Sequence, residues 1–310
     1  DKFNATSYDV MTVVIISLQT FAGMWINAFI VSVLGLAWVI KKSFNSNEKI
    51  LFFLGCSRFC YLATSWLYAF LSIIYPSCFY VHPVPPMMEA IQSFLNSSNM
   101  WASACLCVFY CIKIANFRHI VFTFLKAKID RIVPGLLLVS VLVSLIVSIL
   151  VYDISETALF KKFNSSSENF WKLHVRLDEY IIPGFFISGS IFASAFTAAI
   201  LSALLLLFSL WRHKRKMQTN SVKDLSMDAH IKAMKTILFF IFIYSINFTC
   251  YILTLIYALK KEIIVTFVVL IFRYALSSVH SLILIFSNPK LKKTLIRTVA
   301  CLKCKVFMRQ

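Results

Sequence analysis

The chain has 310 residues, of which 60% are hydrophobic and 14% are charged, and its formal net charge is +18. Soluble domains are about 45–50% apolar, so this composition excludes an ordinary soluble fold and indicates a membrane protein. The basic residues lie in short segments beside apolar runs, where positive charge sets membrane orientation, so no nucleic-acid partner is expected.

Seven apolar runs follow one another along the chain, and each is long enough for a helix to cross a bilayer. Their polarity does not alternate as it would in barrel strands, so they predict an all-α membrane protein, a bundle of seven transmembrane helices. The predicted spans are residues 10–40, 50–75, 88–115, 132–151, 180–211, 234–257 and 263–286. With an N-terminal segment, 1–9, and a tail, 287–310, they are expected to form one domain, 1–310.

Lysine and arginine are concentrated after the first, third, fifth and seventh spans, whereas most acids lie on the other side. Because positive charge marks the cytoplasmic face, residues 1–9 are predicted outside the cell and residues 287–310 inside. Residues 154–179 are the longest predicted outer loop, and residues 212–233 the longest inner loop. The sequons at Asn4 and Asn164 lie in predicted outer segments and are expected to be glycosylated.

The sequence contains no Walker motif, no His and Cys residues at metal-ligand spacing and no catalytic triad. We therefore expect neither an enzyme nor a bound cofactor or metal. The absence of an internal repeat weakens the alternative of a transporter built from paired repeats.

Polar side chains inside the spans are costly in lipid, so each is a candidate functional residue. Two groups have the spacing of one helix face: Glu89, Gln92, Asn96 and Asn99 in the third span, and Arg273, Ser277 and His280 in the seventh. In a bundle such faces turn inward. They could line one outer pocket for a small molecule, or form a buried network that only holds helices together.

These two alternatives apply differently to individual residues. Asn27, Arg58 and His280 are predicted to lie deep in the bundle, which favours a structural network. Gln92 and Asn96 fall in the outer half of the third span, which favours a ligand contact.

Ionisable residues bear on the charge of the ligand. Glu89 begins the polar face of the third span, and other acids lie in outer segments, whereas Arg273 is the cation deepest in the pocket region. Because acids outnumber that arginine, we expect amines and neutral amphiphiles as ligands. If Arg273 faces the pocket and dominates, anionic ligands are expected instead.

Three parts of the chain carry family motifs. They read MWASACLCVFYCIKIANFRHIVFTFLKAKI over residues 100–129, LLLLFSLWRHKRKMQ and AHIKAMKTILFFIFIY over 204–218 and 229–244, and HSLILIFSNPKLKKTL over 280–295. The Asp-Arg-Tyr, Cys-Trp-x-Pro and Asn-Pro-x-x-Tyr motifs of rhodopsin-like receptors are absent. The chain resembles the type 2 (bitter) taste receptors, a family of G-protein-coupled receptors, over nearly its whole length.

The resemblance implies a multi-pass receptor of the plasma membrane. It would bind small bitter agonists in the outer half of the bundle and activate a heterotrimeric G protein, of the gustducin or Gi type, from within membrane lipid. Gln92, Asn96 and Tyr244 match family positions for ligand contact or activation. The complete set expected at the ligand is Glu89, Gln92, Asn96, Tyr244, Asn247, Phe248, Leu270 and Arg273.

The resemblance also implies residues at the inner end of the third span that face the G protein, and basic residues after the fifth span are expected to join them. The complete G-protein-facing set is Tyr110, Lys113, His213, Lys214, Arg215 and Lys216. Asn27, Arg58 and His280 are expected to hold or switch the bundle. Asn247 stands where many family members have an aromatic residue, and Gln92 where many have tryptophan, so a more polar pocket is expected. A pheromone receptor of the vomeronasal type 1 family, and less readily a seven-helix transporter or channel, remain alternatives.

Overall fold

The computed structural model describes residues 7–74, 83–115, 117, 119–164, 170–219, 225–260 and 263–307. Within these ranges there are eight helices and no strand. The helices are α1 Ser7–Lys41, α2 Ser46–Ile74, α3 Val84–Ile114, α4 Ile120–Asn164, α5 Phe170–Thr219, α6 Leu225–Lys260, α7 Ile263–Ser287 and α8 Pro289–Phe307. Helices α1–α7 correspond in order to the seven predicted spans, so the predicted all-α class is confirmed, and α8 occupies the predicted tail.

Several helices are longer than the spans predicted from hydropathy. Helix α4 runs from Ile120 to Asn164 and α5 from Phe170 to Thr219, so the expected loops 154–179 and 212–233 are largely helical. Hydropathy detects only the part of a helix that crosses hydrocarbon. Beyond that part the helix continues through lysine, glutamate and arginine, which are good helix formers in water.

Four helices contain a described segment that is long and apolar enough to cross a membrane: Val13–Lys41, Ser46–Leu71, Ile120–Thr157 and Phe186–Arg212. Shorter apolar segments lie in α6, Ile237–Leu253, and in α7, Tyr274–Ser287. Helix α3 is the most enclosed, because it packs against α2, α4 and α5. Its many serines and asparagines face other helices and not lipid, which explains its lower hydropathy.

Contacts between neighbouring helices close the bundle into a ring. Helix α1 packs against α2 and α7, and α6 packs against α5 and α7, while α8 lies against α7 and α1. Side chains from α1, α2, α3, α4, α7 and α8 form the largest apolar core, which includes Leu34, Leu54, Phe109, Ile129 and Leu291. Below, the half of the bundle next to α8 is called the inner half, and the remote half the outer half.

Large apolar side chains cover the outside of the bundle. Trp25 on α1 is 80% exposed, and Leu138, Ile146 and Ile149 on α4 are each more than half exposed. In water such a surface would drive aggregation, but hydrocarbon solvates it. The exposed apolar faces of α1 and α4 are therefore surfaces in contact with lipid.

Gly23 lies where α1 packs closely against α2 and α7. A Cβ atom at this position would lie 2.4 Å from Ser278 Oγ on α7 and 2.8 Å from Leu62 Cδ1 on α2. Small residues of this kind let membrane helices approach closely. At Gly135 on α4, by contrast, a Cβ atom would meet no atom of the described residues within 4 Å, apart from the neighbouring backbone of its own helix.

We predict that Gly23→Ala lowers the thermal stability of the purified protein, because overpacking typically costs about 1–3 kcal/mol. Gly135→Ala is the matched control, and it should leave the melting temperature unchanged or slightly higher, because alanine favours the helix. Thermal unfolding of both variants in detergent measures the difference. Equal melting temperatures for the two variants would contradict the tight α1 contact.

Candidate functional site

A buried arginine links three helices in the middle of the bundle. Arg58 on α2 is 4% exposed. Its Nη1 donates to Ser281 Oγ at 3.0 Å, and its Nη2 donates to Ser103 Oγ at 3.2 Å and lies 2.6 Å from His280 Nδ1. A guanidinium group can only donate, so Nδ1 of His280 must accept. The imidazole is then neutral, with its proton on Nε2.

The network continues to α1 through Ser281. The Ser281 hydroxyl donates to Asn27 Oδ1 at 2.9 Å, and Asn27 Nδ2 donates to the Gly23 carbonyl at 2.8 Å. Asn27 and Ser281 are fully buried. The structure thus brings Asn27, Arg58 and His280 into one hydrogen-bonded network that joins α1, α2, α3 and α7.

A small polar cavity adjoins this network. It is lined by Arg58, Tyr61, Asn96, Asn99, Met100, Ser103, Ile243, Tyr244, Asn247, Ser277 and His280. Its volume of about 20 Å³ suffices for one water molecule. Pockets that enclose drug-sized ligands measure roughly 300–1,000 Å³, so the bundle is closed at this level.

Three polar atoms of the cavity wall are buried without a hydrogen-bond partner among the described residues. They are Asn99 Oδ1, Asn247 Oδ1 and His280 Nε2. Leaving such an atom unpaired costs about 1–3 kcal/mol. The two amide oxygens accept hydrogen bonds and the imidazole N–H donates one. A water molecule or a ligand group that both donates and accepts would therefore be stabilised here.

A second small cavity lies on the other side of Asn96, between α3, α4 and α5. Its volume is about 10 Å³, and it is lined by Ser93, Asn96, Ser97, Met100, Trp101, Val147, Ser188, Ile191 and Phe192. In its wall Ser97 Oγ and Trp101 Nε1 are buried without a partner among the described residues. Asn96 thus separates two spaces whose polar atoms are incompletely bonded.

A row of aromatic rings connects α5 and α6 beside the cavities. The rings belong to Phe192 and Phe196 on α5 and to Phe240, Tyr244, Phe248 and Tyr251 on α6. Phe192 stacks on Tyr251 and Phe196 on Phe248, each with 4.3 Å between ring centroids. At the inner end of this aromatic row, Phe240 contacts the His280 ring edge-on at 4.9 Å. The row therefore ends at the Arg58 network.

Comparison with known proteins places the chain in a family. The sequence model of the family described as Taste receptor protein (TAS2R) matches residues 5–303. The chain belongs to the type 2 taste receptor family. It is 30% identical over 316 residues to Taste receptor type 2 member 9 of Homo sapiens, covering 98% of this chain and 97% of that relative. It is 33% identical over 315 residues to Taste receptor type 2 member 8 of Gorilla gorilla gorilla, covering 95% and 97%.

Membership of the type 2 taste receptor family confirms the resemblance that the sequence motifs indicated. The chain is a membrane protein and a G-protein-coupled receptor, and this family consists of receptors and not enzymes. A match over nearly the full length also favours this family over the vomeronasal alternative.

The residues that the sequence assigned to the ligand lie in different surroundings in the structure. Asn96, Tyr244 and Asn247 line the cavity, whereas Phe248 belongs to the aromatic row. The Gln92 side chain is partly buried, and its Nε2 has no partner among the described residues. The side chains of Leu270 and Arg273 lie outside the described residues.

Glu89 lies apart from the cavity. Its side chain is exposed and accepts a hydrogen bond from Ser155 Oγ of α4 at 2.5 Å. Helical spacing placed it on one face with Asn96, but it stands near the start of α3, beside Ser155 of α4. Glu89 therefore joins α3 to α4 at the rim of the bundle.

The residues assigned to the G protein occupy the inner ends of α3 and α5. The Tyr110 hydroxyl donates to Asn47 Oδ1 of α2 at 3.0 Å. Lys113 lies 3.4 Å from Asp130 of α4, and both side chains are at least half exposed, so this ion pair adds little stability. The Arg215 guanidinium lies 4.7 Å from the centre of the Trp211 ring.

Lys214 on α5 is partly exposed. The side chains of His213, Lys216 and Asn164, and the whole of Asn4, lie outside the described residues.

Sequence reasoning missed several residues of the cavity wall, namely Tyr61, Met100, Ser103 and Ile243. Ser103 could have been found, because it stands four residues after Asn99 and continues the polar face. Tyr61, Met100 and Ile243 have no such signal, since apolar and aromatic residues occur throughout the spans.

We predict that Ser281→Ala destabilises the receptor, because it leaves Asn27 Oδ1 and one Arg58 N–H unpaired. The expected loss is about 1–3 kcal/mol for each orphaned group. Ser190→Ala is the control, because Ser190 is exposed and, among the described residues, bonds only to the Phe186 carbonyl of its own helix. Thermal unfolding in detergent should show a lower midpoint for Ser281→Ala alone. A midpoint equal to that of the control would show that the network adds no stability.

Proposed function

We propose that this receptor binds small bitter molecules in the outer half of the bundle and transmits binding to a heterotrimeric G protein at the inner half. The observation that carries the proposal is the set of unpaired polar atoms around Asn96, Asn99 and Asn247 in a type 2 taste receptor. These atoms have no structural partner among the described residues, so a ligand or water is the natural group to complete them.

The wall of the cavity indicates the chemistry of the ligand. Asn99 Oδ1 and Asn247 Oδ1 require donors, such as an amine, an amide N–H or a hydroxyl. The neighbouring aromatic rings supply apolar area for the rest of the molecule. Amphiphilic molecules with at least one hydrogen-bond donor fit this combination, and it agrees with the expectation of amines and neutral amphiphiles.

Binding requires the bundle to open. The cavity of about 20 Å³ holds one water molecule, so a larger ligand must part α3 from α6 or α7. A ligand that binds the open arrangement better than the closed one shifts the population toward it. We therefore regard the described arrangement as the resting state of the receptor.

Tyr244 is placed to transmit this opening. Its hydroxyl donates to the Met100 carbonyl of α3 at 3.2 Å, and its ring stacks on Phe196 and Phe240 at 5.7 and 5.4 Å. Phe240 in turn contacts His280. A ligand that displaces Tyr244 thus disturbs α3, α5, α6 and α7 together, which is a change of packing and not a local adjustment.

We place the inner half in the cytoplasm, where the excess of lysine and arginine follows the positive-inside rule. The G protein, of the gustducin or Gi type by family, would meet the inner ends of α3 and α5, where Lys113, Lys214 and Arg215 lie. Asn4 and Asn164 would then face the outside of the plasma membrane, where they can be glycosylated.

We predict that Asn96→Ala and Asn247→Ala reduce agonist potency several-fold, because each lost hydrogen bond costs about 0.5–1.5 kcal/mol. Gln92→Ala should have a similar effect. Calcium imaging of cells that express the receptor with a promiscuous Gα, screened against bitter compounds, measures potency.

The control for these variants is Thr197→Ala on α5. Thr197 is exposed, and its one hydrogen-bond partner in the described part of the chain is the Ala193 carbonyl, so loss of its hydroxyl should not change potency. Surface expression must match wild type in every variant. If no variant changes the potency of any agonist, the polar residues of α3 and α6 serve packing alone.

We predict that Lys214→Gln combined with Arg215→Gln slows activation of the G protein and leaves agonist affinity unchanged, because rim charges mainly steer association. The difference in activation rate between this double variant and wild type should shrink as ionic strength rises. Nucleotide exchange on the purified G protein measures the rate. The pair Lys41→Gln and Lys42→Gln removes the same charge from the exposed end of α1 and should have a smaller effect. Equal slowing by both pairs would mean that only net charge matters.

A further inference from the structure

Helix α8 is fixed to the bundle along one side. Leu291 is fully buried in the main apolar core, and Leu295 packs against the same core. The Lys290 ammonium forms an ion pair with Glu48 at the start of α2. The position and rotation of α8 are therefore set by contacts with α1, α2 and α7.

The opposite side of α8 forms an open groove with the end of α7. The groove has a volume of about 530 Å³ and is lined by Phe286, Ser287, Pro289, Lys292, Lys293, Ile296 and Arg297. Its wall contains three cations and no carboxylate. Lys292, Lys293 and Arg297 have no acidic partner among the described residues, unlike Lys290. The groove thus presents concentrated positive charge that the described part of the protein does not neutralise.

The apolar part of the groove continues into the lipid-facing side of α7. Phe286 and Ile296 are 53% and 57% exposed. Phe272, Val279 and Phe286 are spaced by seven residues, which places them on one side of α7, and all three are exposed. An apolar strip therefore runs from the membrane interior to the basic residues of α8.

We propose that this groove binds an anionic phospholipid. The headgroup phosphate would lie among Lys292, Lys293 and Arg297, and an acyl chain would follow Phe286, Val279 and Phe272. Helix α7 ends at Ser287, so the groove lies where the span leaves hydrocarbon, which is the depth of lipid headgroups. Basic clusters directly after a span are suited to anionic lipids.

The apolar strip distinguishes a lipid from other anions. A soluble phosphate or an acidic protein surface would use the cations but would gain nothing from exposed Phe286 and Val279. A lipid uses both, because one molecule carries the phosphate and the chain. The combination of charge and adjoining apolar surface is the reason to favour phospholipid.

The test uses the full chain in a neutral detergent, titrated with a phosphatidylinositol phosphate or with phosphatidylcholine. Native mass spectrometry measures the fraction of receptor that retains lipid. Wild type should prefer the anionic lipid. The triple variant Lys292→Gln, Lys293→Gln, Arg297→Gln should lose about fivefold in affinity for each cation removed.

Two control variants distinguish a phospholipid site from a response to net charge and from binding of the headgroup alone. The triple variant Lys42→Gln, Lys128→Gln, Arg131→Gln removes the same charge from other exposed positions and should retain wild-type affinity. Ile296→Ser should weaken retention of the lipid but leave binding of soluble inositol trisphosphate unchanged. Thermal unfolding of each variant verifies that α8 remains docked.

Several results would overturn the proposal. Equal losses in the two triple variants would show a response to net charge alone. Equal retention of phosphatidylcholine, or a free headgroup that binds as tightly as the whole lipid, would exclude a phospholipid site. Unchanged lipid retention together with lost G-protein activation would make the groove a contact for the G protein.

Discussion

The buried guanidinium of Arg58 is the constraint around which the rest of the bundle is arranged. A charged group in the middle of a membrane protein is costly unless its donors are satisfied. Ser103, His280 and Ser281 supply acceptors from two other helices, and Asn27 holds Ser281 from a third. None of these partners is a carboxylate, so hydrogen bonds to neutral groups take the place of an ion pair. Moving α7 away from α2 would leave the charge without the acceptors of α7, so the network holds α7 against α2.

The Arg58 network and the polar cavity share one side chain. His280 uses Nδ1 to accept from Arg58, and its Nε2 lines the cavity beside Asn99 and Asn247. One imidazole therefore belongs to both the structural network and the polar cavity. Under the proposed function, a ligand that bonds to this wall would act on α7 through His280. The aromatic row supplies a second route, because Phe240 contacts the edge of the same ring.

The sequence predicted what local patterns determine. Apolar length identified seven helices, and helical spacing grouped Asn96 with Asn99 and Ser277 with His280, all of which line one cavity. Contacts between distant helices have no such signature. Glu89 fits the spacing of its neighbours, but its exposed position beside Ser155 depends on how α4 packs. Helix α8 escaped prediction because its apolar residues face a core that exists only after the other helices assemble, and its basic residues resemble any positive-inside segment.

The polar cavity is small, since its volume of about 20 Å³ suffices for one water molecule. Asn99, Asn247 and His280 each contribute to its wall a buried polar atom without a hydrogen-bond partner among the described residues. A water molecule can donate to an amide oxygen and accept from the imidazole, whereas a larger group needs α3 to move away from α6 or α7. The space therefore has room for one water molecule between helices that are held by Arg58 on one side and by the aromatic row on the other. Under the proposed function, a ligand that pairs with the polar wall must also offset the packing that is lost as the bundle opens, because only its differential affinity for the open arrangement can shift the population.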